Sequence, residues 1–420
     1  MRLLHRHKAI TALGALTILL AASGCSRGGS GSGGESIQFF LNMGNDTPQY
    51  KVMSKLVDAY EKQAGVTIKV TAESVNYEDQ MKVRLASRNV PDLFSTHGWS
   101  LLRYSKFLMP LNSQPWAKDV NPSLNSAMRD SKGQIFAFPG ETDVVGLSYN
   151  KDVLAKAGID PSKITTWSAF DAAAKAVAEK GITPIVSSGK DQGPAGHIAD
   201  YLAIDSYNSS ELAKMKSGTF VSGPYTRLLE RVKSWEKKGW FNKDYSSASQ
   251  DDMARALAGG TAGFALMQNQ VLTAARQYNP KAKLGFVPIP PTVGDKPYLV
   301  GGEGVDSFGV SKTSGHKKEV LGFLKFLAKP ENAAALAEAT GSAAGLTNVK
   351  TNFGSLAPSF HTYVTNRSVT LKPYFDRVYL PNGSWNTMVA TTDSVISGQG
   401  TVGAAVNQMK RQYYALYGQK

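Results

Sequence analysis

The 420-residue sequence predicts an α/β protein organised as two lobes. Two observations predict it. Short apolar strands alternate with amphipathic helices through most of the chain. The stretch from Cys25 to Lys420 is also too long to wrap around one simple core. No segment repeats itself with a period of 20–50 residues, which sets solenoids and propellers aside.

The first strand is Ile37 to Leu41, and a polar turn from Asn42 to Thr47 follows it. Pro48 then suits a first helical position, Val52, Leu56 and Tyr60 mark one helical face, and Gly65 stops the helix. Val66 to Val70 alternates with period two, so strand, helix and strand form a parallel unit with a right-handed crossover. A second such unit runs through a helix from Tyr77 to Arg88 into a strand from Asp92 to Thr96. Further on, Thr166 and Trp167 open a helix, Ile182 to Val186 is a strand, and helices cover Gly196 to Tyr207 and Tyr225 to Lys238. Strands at Ala262 to Met267 and Leu284 to Ile289 precede an exposed connection punctuated by Pro288, Pro290, Pro291 and Pro297. A strand from Ser307 to Val310 leads into a helix from Lys317 to Leu327. From Pro330 onward the pattern is mostly helical, with helices near Asn386 to Ile396 and Val402 to Tyr417.

The first residues carry an address. Arg2, Arg6 and Lys8 precede an apolar run from Ala9 to Ala22 that ends in Ala22, Ser23, Gly24 and Cys25. This is the layout of a secretory signal, and its apolar run is short for a membrane span. Cys25 is the only cysteine, and it stands where a lipoprotein signal places the acylated residue. The expectation is therefore a leader over residues 1–24, lipidation at Cys25, and a flexible linker to residue 36. An ordinary signal peptide with a cysteine there by chance is the alternative. The linker is rich in Gly and Ser and would reach roughly 20 Å as a random coil. Such a body would be held by its lipid at the extracytoplasmic face of the cell membrane, with no disulfide to form.

Composition and motifs exclude several functions. Removing Arg2, Arg6 and Lys8 with the leader lowers the net charge from +14 to +11, which is 44 basic against 33 acidic residues. The Lys and Arg residues are scattered along helices, with no basic run and no interleaved aromatics, so nucleic acid is not the expected partner. The glycines at Gly301, Gly302 and Gly304 lack the spacing and following helix of a phosphate loop. No Gly-x-Ser-x-Gly elbow follows a strand, and no histidine has a His or Cys partner at metal-ligand spacing. No cofactor and no metal are expected. Carboxylate pairs exist in any chain of this length, so a secreted carbohydrate-active enzyme stays open as an alternative. So does a binder of a non-sugar solute such as a peptide or polyamine.

The order of motifs resembles the extracellular solute-binding proteins (family 1) that serve ABC-type sugar importers. Pro91, Asp92, Trp99, Tyr104 and Leu108 to Leu111 come first, then Ile135 to Pro139, Glu141, Asp143 and Gly146 to Lys151. Ala157 to Ile159, Thr166 to Phe170, Gly263 to Met267, Gly301 to Glu303, Phe323 to Leu327, Pro330, Glu331 and Gly341 continue it. The sequence departs at Ala343 and Ala344, where the family often has a proline. The resemblance implies a periplasmic-binding-protein-like fold with hinge crossovers and a ligand cleft. It implies lobe one over 37–145 plus 302–345 and lobe two over 146–301 plus 346–420. It further implies a monomer that captures a carbohydrate, alters none of its bonds, and delivers it to ABC permease transmembrane subunits.

Sugar hydroxyls need planar polar partners, and the C–H faces of a sugar need aromatic rings. Asn42, Asn45 and Asp46 follow the first strand, where ligands of open α/β lobes sit, although Asp46 could also cap the next helix. Gln268 and Asn269 directly follow another strand. The resemblance adds His97, Trp99, Glu141, Asp143, Gly302 and Glu303, although Glu141 and Asp143 could instead hold the hinge and Trp99 could pack in a core; Trp385 is a candidate late aromatic platform. Trp116, Trp167, Trp235 and Trp240 are expected to pack in cores.

Overall fold

A computed structural model of the chain describes residues 36–74, 76–96, 104–191, 193–302, 304, 306–365 and 369–418. The leader, Cys25 and the spacer lie outside the described residues. In chain order the strands begin with β1 (Ile37–Leu41), β2 (Ile68–Ala72), β3 (Leu93–Ser95), β4 (Phe138–Pro139), β5 (Glu141–Thr142), β6 (Val144–Val145) and β7 (Leu147–Asn150). They continue with β8 (Thr183–Ile185), β9 (Ala262–Ala265), β10 (Leu284–Val287), β11 (Tyr298–Gly301), β12 (Ser307–Val310), β13 (Ala343–Ala344) and β14 (Thr370–Lys372).

The first sheet has the order β2-β1-β3-β12-β4. β1 runs parallel to β2 and β3, with Phe39 opposite Val70 and Leu93, while β12 runs antiparallel to β3 and β4. The parallel unit read from the pattern is therefore present. The helix Pro48–Ala64 covers this sheet. Thr47, not Asp46, caps it by accepting the Tyr50 N–H at 3.2 Å, Pro48 opens it, and Gly65 ends it in the left-handed region at φ 66°. Its buried face of Met53, Leu56, Val57 and Tyr60 meets Phe323 and Phe326 of the helix Lys317–Leu327, and Phe39 packs edge-on to Phe308 at 5.6 Å. The strand expected at Val66 starts two residues later, because the chain must reverse after Gly65 before it can pair.

The second sheet has the order β10-β7-β9-β8, with β7 antiparallel to β10 and β9, and β8 parallel to β9. Phe170, Trp235 and Phe264 fill its core, with the Phe170 ring 5.3 Å from each of the other two. Trp167 opens the helix Trp167–Glu179 with Thr166 as cap, and it is buried, as are Trp116, Trp235 and Trp240. All four tryptophans pack as the pattern suggested.

Two short sheets join the two large ones. β6 pairs antiparallel with β11, which pairs parallel with β14, and β5 pairs antiparallel with β13. The chain leaves the first sheet between β4 and β7 and returns between β11 and β12. It leaves again after β13 and reaches the helix Ala357–Phe360, where Phe360 packs on Phe286 of β10 at 5.2 Å. Ala343 and Ala344, the departure from the expected proline, form β13 itself. A proline there would remove a backbone donor from the pairing. The result is a two-lobed α/β fold crossed three times by the chain.

Candidate functional site

The crossovers concentrate acid groups. Glu141 in β5 is 1% exposed, and Asp143, between β5 and β6, is 4% exposed. Glu141 Oε1 accepts the Asp306 N–H at 3.0 Å, and the Gly140 N–H donates to the Asp306 carbonyl at 2.8 Å. These bonds tie the first crossover to the return crossover. Burial and the neighbouring Asp143 charge push the Asp306 carboxyl up to about 7. Asp143 Oδ2 accepts a hydrogen bond from the Tyr374 hydroxyl, and the Asp143 carbonyl accepts the Gly302 N–H at 3.2 Å. Gly301 has φ 153°, and a Cβ there would lie 2.2 Å from the Asp143 carbonyl oxygen. Only glycine allows the crossovers to approach this closely.

The other candidates from strand ends divide between two settings. Asn42 follows β1, and its N–H donates to Ser95 Oγ at 3.0 Å, joining the carboxyl ends of β1 and β3. Asn45 and Asp46 are exposed in the turn that follows. Asn269 is buried between crossovers, where its Nδ2 donates to the carbonyls of Val144 at 2.8 Å and Gly341 at 3.3 Å. Its neighbour Gln268 accepts from Gln270 Nε2 at 3.3 Å, and Gln270 Oε1 accepts from Gln49 Nε2 at 2.9 Å. This chain of amides links the end of β9 to the helix Pro48–Ala64. His97, Trp99 and Glu303 lie outside the described residues.

Trp385 opens the helix Trp385–Ile396 and is partly exposed. His197 stands 5.0 Å from its ring centroid, and the Arg377 guanidinium stands 5.5 Å away. The ring lies against Gly196, where a Cβ would come within 2.9 Å of it. Burial and Arg377 push the His197 imidazole down to about 3, so at neutral pH it is uncharged. Tyr201 packs 5.3 Å from His197 and 5.8 Å from Tyr374, so a continuous run of rings joins Trp385 to the donor of Asp143. Asp200, on the same helix Pro194–Ala203, accepts the Asp376 N–H at 2.7 Å. Burial and Asp376 hold its carboxyl well above the usual range.

The sequence reading missed His197, Asp306, Tyr374 and Arg377. Asp306, two residues past the last glycine of the return crossover, has a usable positional signal. Tyr374 has none, because its partner lies 231 residues away. Among the described residues, no group of three or more His, Cys, Asp or Glu is placed to hold a metal ion. No helix among them is long and apolar enough to cross a membrane. Carboxylates and amides beside aromatic rings can accept hydroxyl hydrogens and stack against C–H surfaces.

Known proteins share this architecture. A family model for bacterial extracellular solute-binding proteins matches residues 44–334. The chain is 31% identical over 382 residues to the melibiose/raffinose/stachyose-binding protein MelE of Bacillus subtilis (strain 168), covering 88% of each chain. A sugar transporter of Bacillus licheniformis, solved in complex with stachyose, superposes with a TM-score of 0.83 at 30% identity, over 91% of this chain and 100% of that one. A binding protein of Bacillus subtilis in an open conformation superposes at 0.78 with 30% identity, over 91% of this chain and 97% of that one. The family match covers more than half of the chain and the relatives cover most of it, and the chain belongs to the bacterial extracellular solute-binding proteins.

Proposed function

We propose that this chain captures a neutral oligosaccharide of the melibiose, raffinose and stachyose type and hands it, unaltered, to the transmembrane subunits of an ABC importer. The observation that carries the reading is the run of rings from Trp385 through His197 and Tyr201 to Tyr374, which ends at the buried Asp143 carboxylate of the crossover. The named specificity of the Bacillus subtilis relative and the stachyose held by the Bacillus licheniformis structure support the choice of sugar. The chain acts as a binder and not as an enzyme.

The ligand-binding set we propose is Asn42, Asn45, Asp46, His97, Trp99, Glu141, Asp143, Gln268, Asn269, Gly302, Glu303 and Trp385. Lobe one comprises 37–145 and 302–345, and lobe two the remainder from 146. Leu346 packs with the first core and Phe353 with the second, which supports a third crossing a few residues after 345. Ligand bridging the lobes biases them toward closure through its higher affinity for the closed arrangement. Cys25 carries the lipid, which keeps a monomeric body at the extracytoplasmic face of the cell membrane.

Calorimetry of the chain without its leader tests this against melibiose, raffinose, stachyose, maltose, xylo-oligosaccharides and chito-oligosaccharides. The expected outcome is a Kd of about 1 μM or tighter for raffinose or stachyose. A Trp385→Ala variant should bind about 30-fold more weakly, as loss of about 2 kcal/mol at an aromatic anchor predicts. Silence across the panel, or release of monosaccharides from raffinose, overturns the reading. Labelled fatty acid should enter the wild-type chain in cells and not a Cys25→Ala variant.

A further inference from the structure

We infer that Tyr374 is the positioning residue for Asp143: its hydroxyl sets the direction in which the carboxylate meets a ligand hydroxyl. The inference deepens the ligand reading of Asp143 proposed above and rests on it.

Asp143 sits on a thin support. β5 and β6, on either side of it, are two residues each. The terminal torsion of an aspartate is broad, so backbone pairing alone does not aim the carboxylate. A donor must fix it, and the Tyr374 hydroxyl provides one at Oδ2.

Tyr374 is itself held on both sides. Two residues before it, Lys372 ion-pairs with Asp205, which is 0% exposed and also accepts the Thr292 N–H. Two residues after it, the Asp376 N–H is bound by the buried Asp200 at 2.7 Å. The Tyr374 ring, 1% exposed, packs at 65° to Tyr201, and Tyr201's carbonyl in turn accepts the Tyr298 hydroxyl at 2.7 Å. A buried hydroxyl with anchors on both flanks and a packed ring has little freedom. It can therefore preorganise an acceptor on an otherwise slender crossover. The same bond joins a segment that follows the third crossing to the first crossing, so the acceptor is aimed only when the crossovers are assembled.

The experiment is a double-mutant cycle on raffinose binding, with Tyr374→Phe, Asp143→Asn and the double variant, and with melting of each ligand-free form. Asp143→Asn should weaken binding by about tenfold or more, as expected for a bond to a charged acceptor. Tyr374→Phe should weaken it by about three- to tenfold, and the ligand-free melting midpoint should fall as well, because the buried Asp143 carboxylate loses a donor. In the Asp143→Asn background, Tyr374→Phe should add less than about twofold, because the group it aims has been replaced. Wild-type affinity in Tyr374→Phe together with weakened binding in Asp143→Asn overturns the inference and leaves the ligand reading standing. Equal losses from Tyr374→Phe in both backgrounds also overturn it, since the tyrosine then acts apart from Asp143. Wild-type affinity in Asp143→Asn removes Asp143 from the ligand site, and the inference falls with it.

Discussion

Replacing Asp205 by alanine should destabilise the second lobe by about 3–5 kcal/mol, the cost of removing one partner of a buried ion pair. Asp205 has no exposed surface, and its side chain meets four donors at once. Oδ1 takes the Lys372 ammonium. Oδ2 accepts the N–H groups of Thr292, Val293 at 3.3 Å and Gly294 at 3.5 Å, within the Pro-rich connection. Alanine leaves those amides without their acceptor and the Lys372 ammonium, with 27% side-chain exposure, without its counter-charge. Lys372→Met should cost less, about 1–3 kcal/mol, because the backbone N–H groups still solvate the carboxylate. Urea unfolding followed by tryptophan fluorescence measures both, and the midpoint should fall with the slope unchanged. The double variant should cost less than the two singles added together. A loss below about 1 kcal/mol for Asp205→Ala would refute the reasoning. So would strictly additive singles. β14 carries Lys372 toward Tyr374, so Asp205→Ala should also weaken raffinose binding in the still-folded protein.

His197 and Asp306 set opposite pH dependences. The native pKa of His197 lies below its unfolded value, so the stability tied to its neutral form is complete above about pH 6.5 and falls as pH drops toward 3. That loss reaches about 2–3 kcal/mol at pH 4.5, and a His197→Gln variant should show a flatter acid limb in unfolding experiments. Asp306 behaves in the reverse sense: its raised native pKa disfavours folding above about pH 7, and the penalty lifts as pH falls toward 4. Asp306→Asn should therefore gain more stability at pH 8 than at pH 5, by at most about 3 kcal/mol and by less to the extent that solvent reaches the partly exposed residue. An equal gain at both pH values contradicts the assignment. Gly301→Ala should cost about 1–3 kcal/mol in backbone strain alone, with a further penalty from the 2.2 Å approach to the Asp143 carbonyl. Denaturant titration of that variant should give a lower midpoint, and a wild-type midpoint would contradict the close approach.

What was legible in the sequence follows from the range over which each signal acts. The helix Pro48–Ala64 was readable from its start, its apolar face and its stop, because all three signals lie within the helix itself. β1, β12 and the helices Trp167–Glu179 and Lys317–Leu327 were readable for the same reason. The strands β4, β5, β6, β11, β13 and β14, of two to four residues, were not. Most of them are too short to carry a period, and β11, as short as β12, follows the Pro-rich connection with no helix signal after it; they are strands because a distant segment supplies the partner. The helix cap shows the limit at finer scale. Both Asp46 and Thr47 have side chains able to cap, and the backbone of the turn selected Thr47.

The sequence alone determined the fold class and the roles of the packed tryptophans, because local periodicity reports on residues close together in the chain, while the candidate crossover acids came from the resemblance to the family. Tertiary structure alone decided that Asp143 meets Tyr374, that Asp306 crowds Asp143, that Asn269 spends its amide between crossovers, and that Trp385 rests on Gly196 beside His197 and Arg377. These pairings join residues up to 231 positions apart. Burial then gives them their weight, since a hydrogen bond or a charge removed from water counts for more than the same group at the surface.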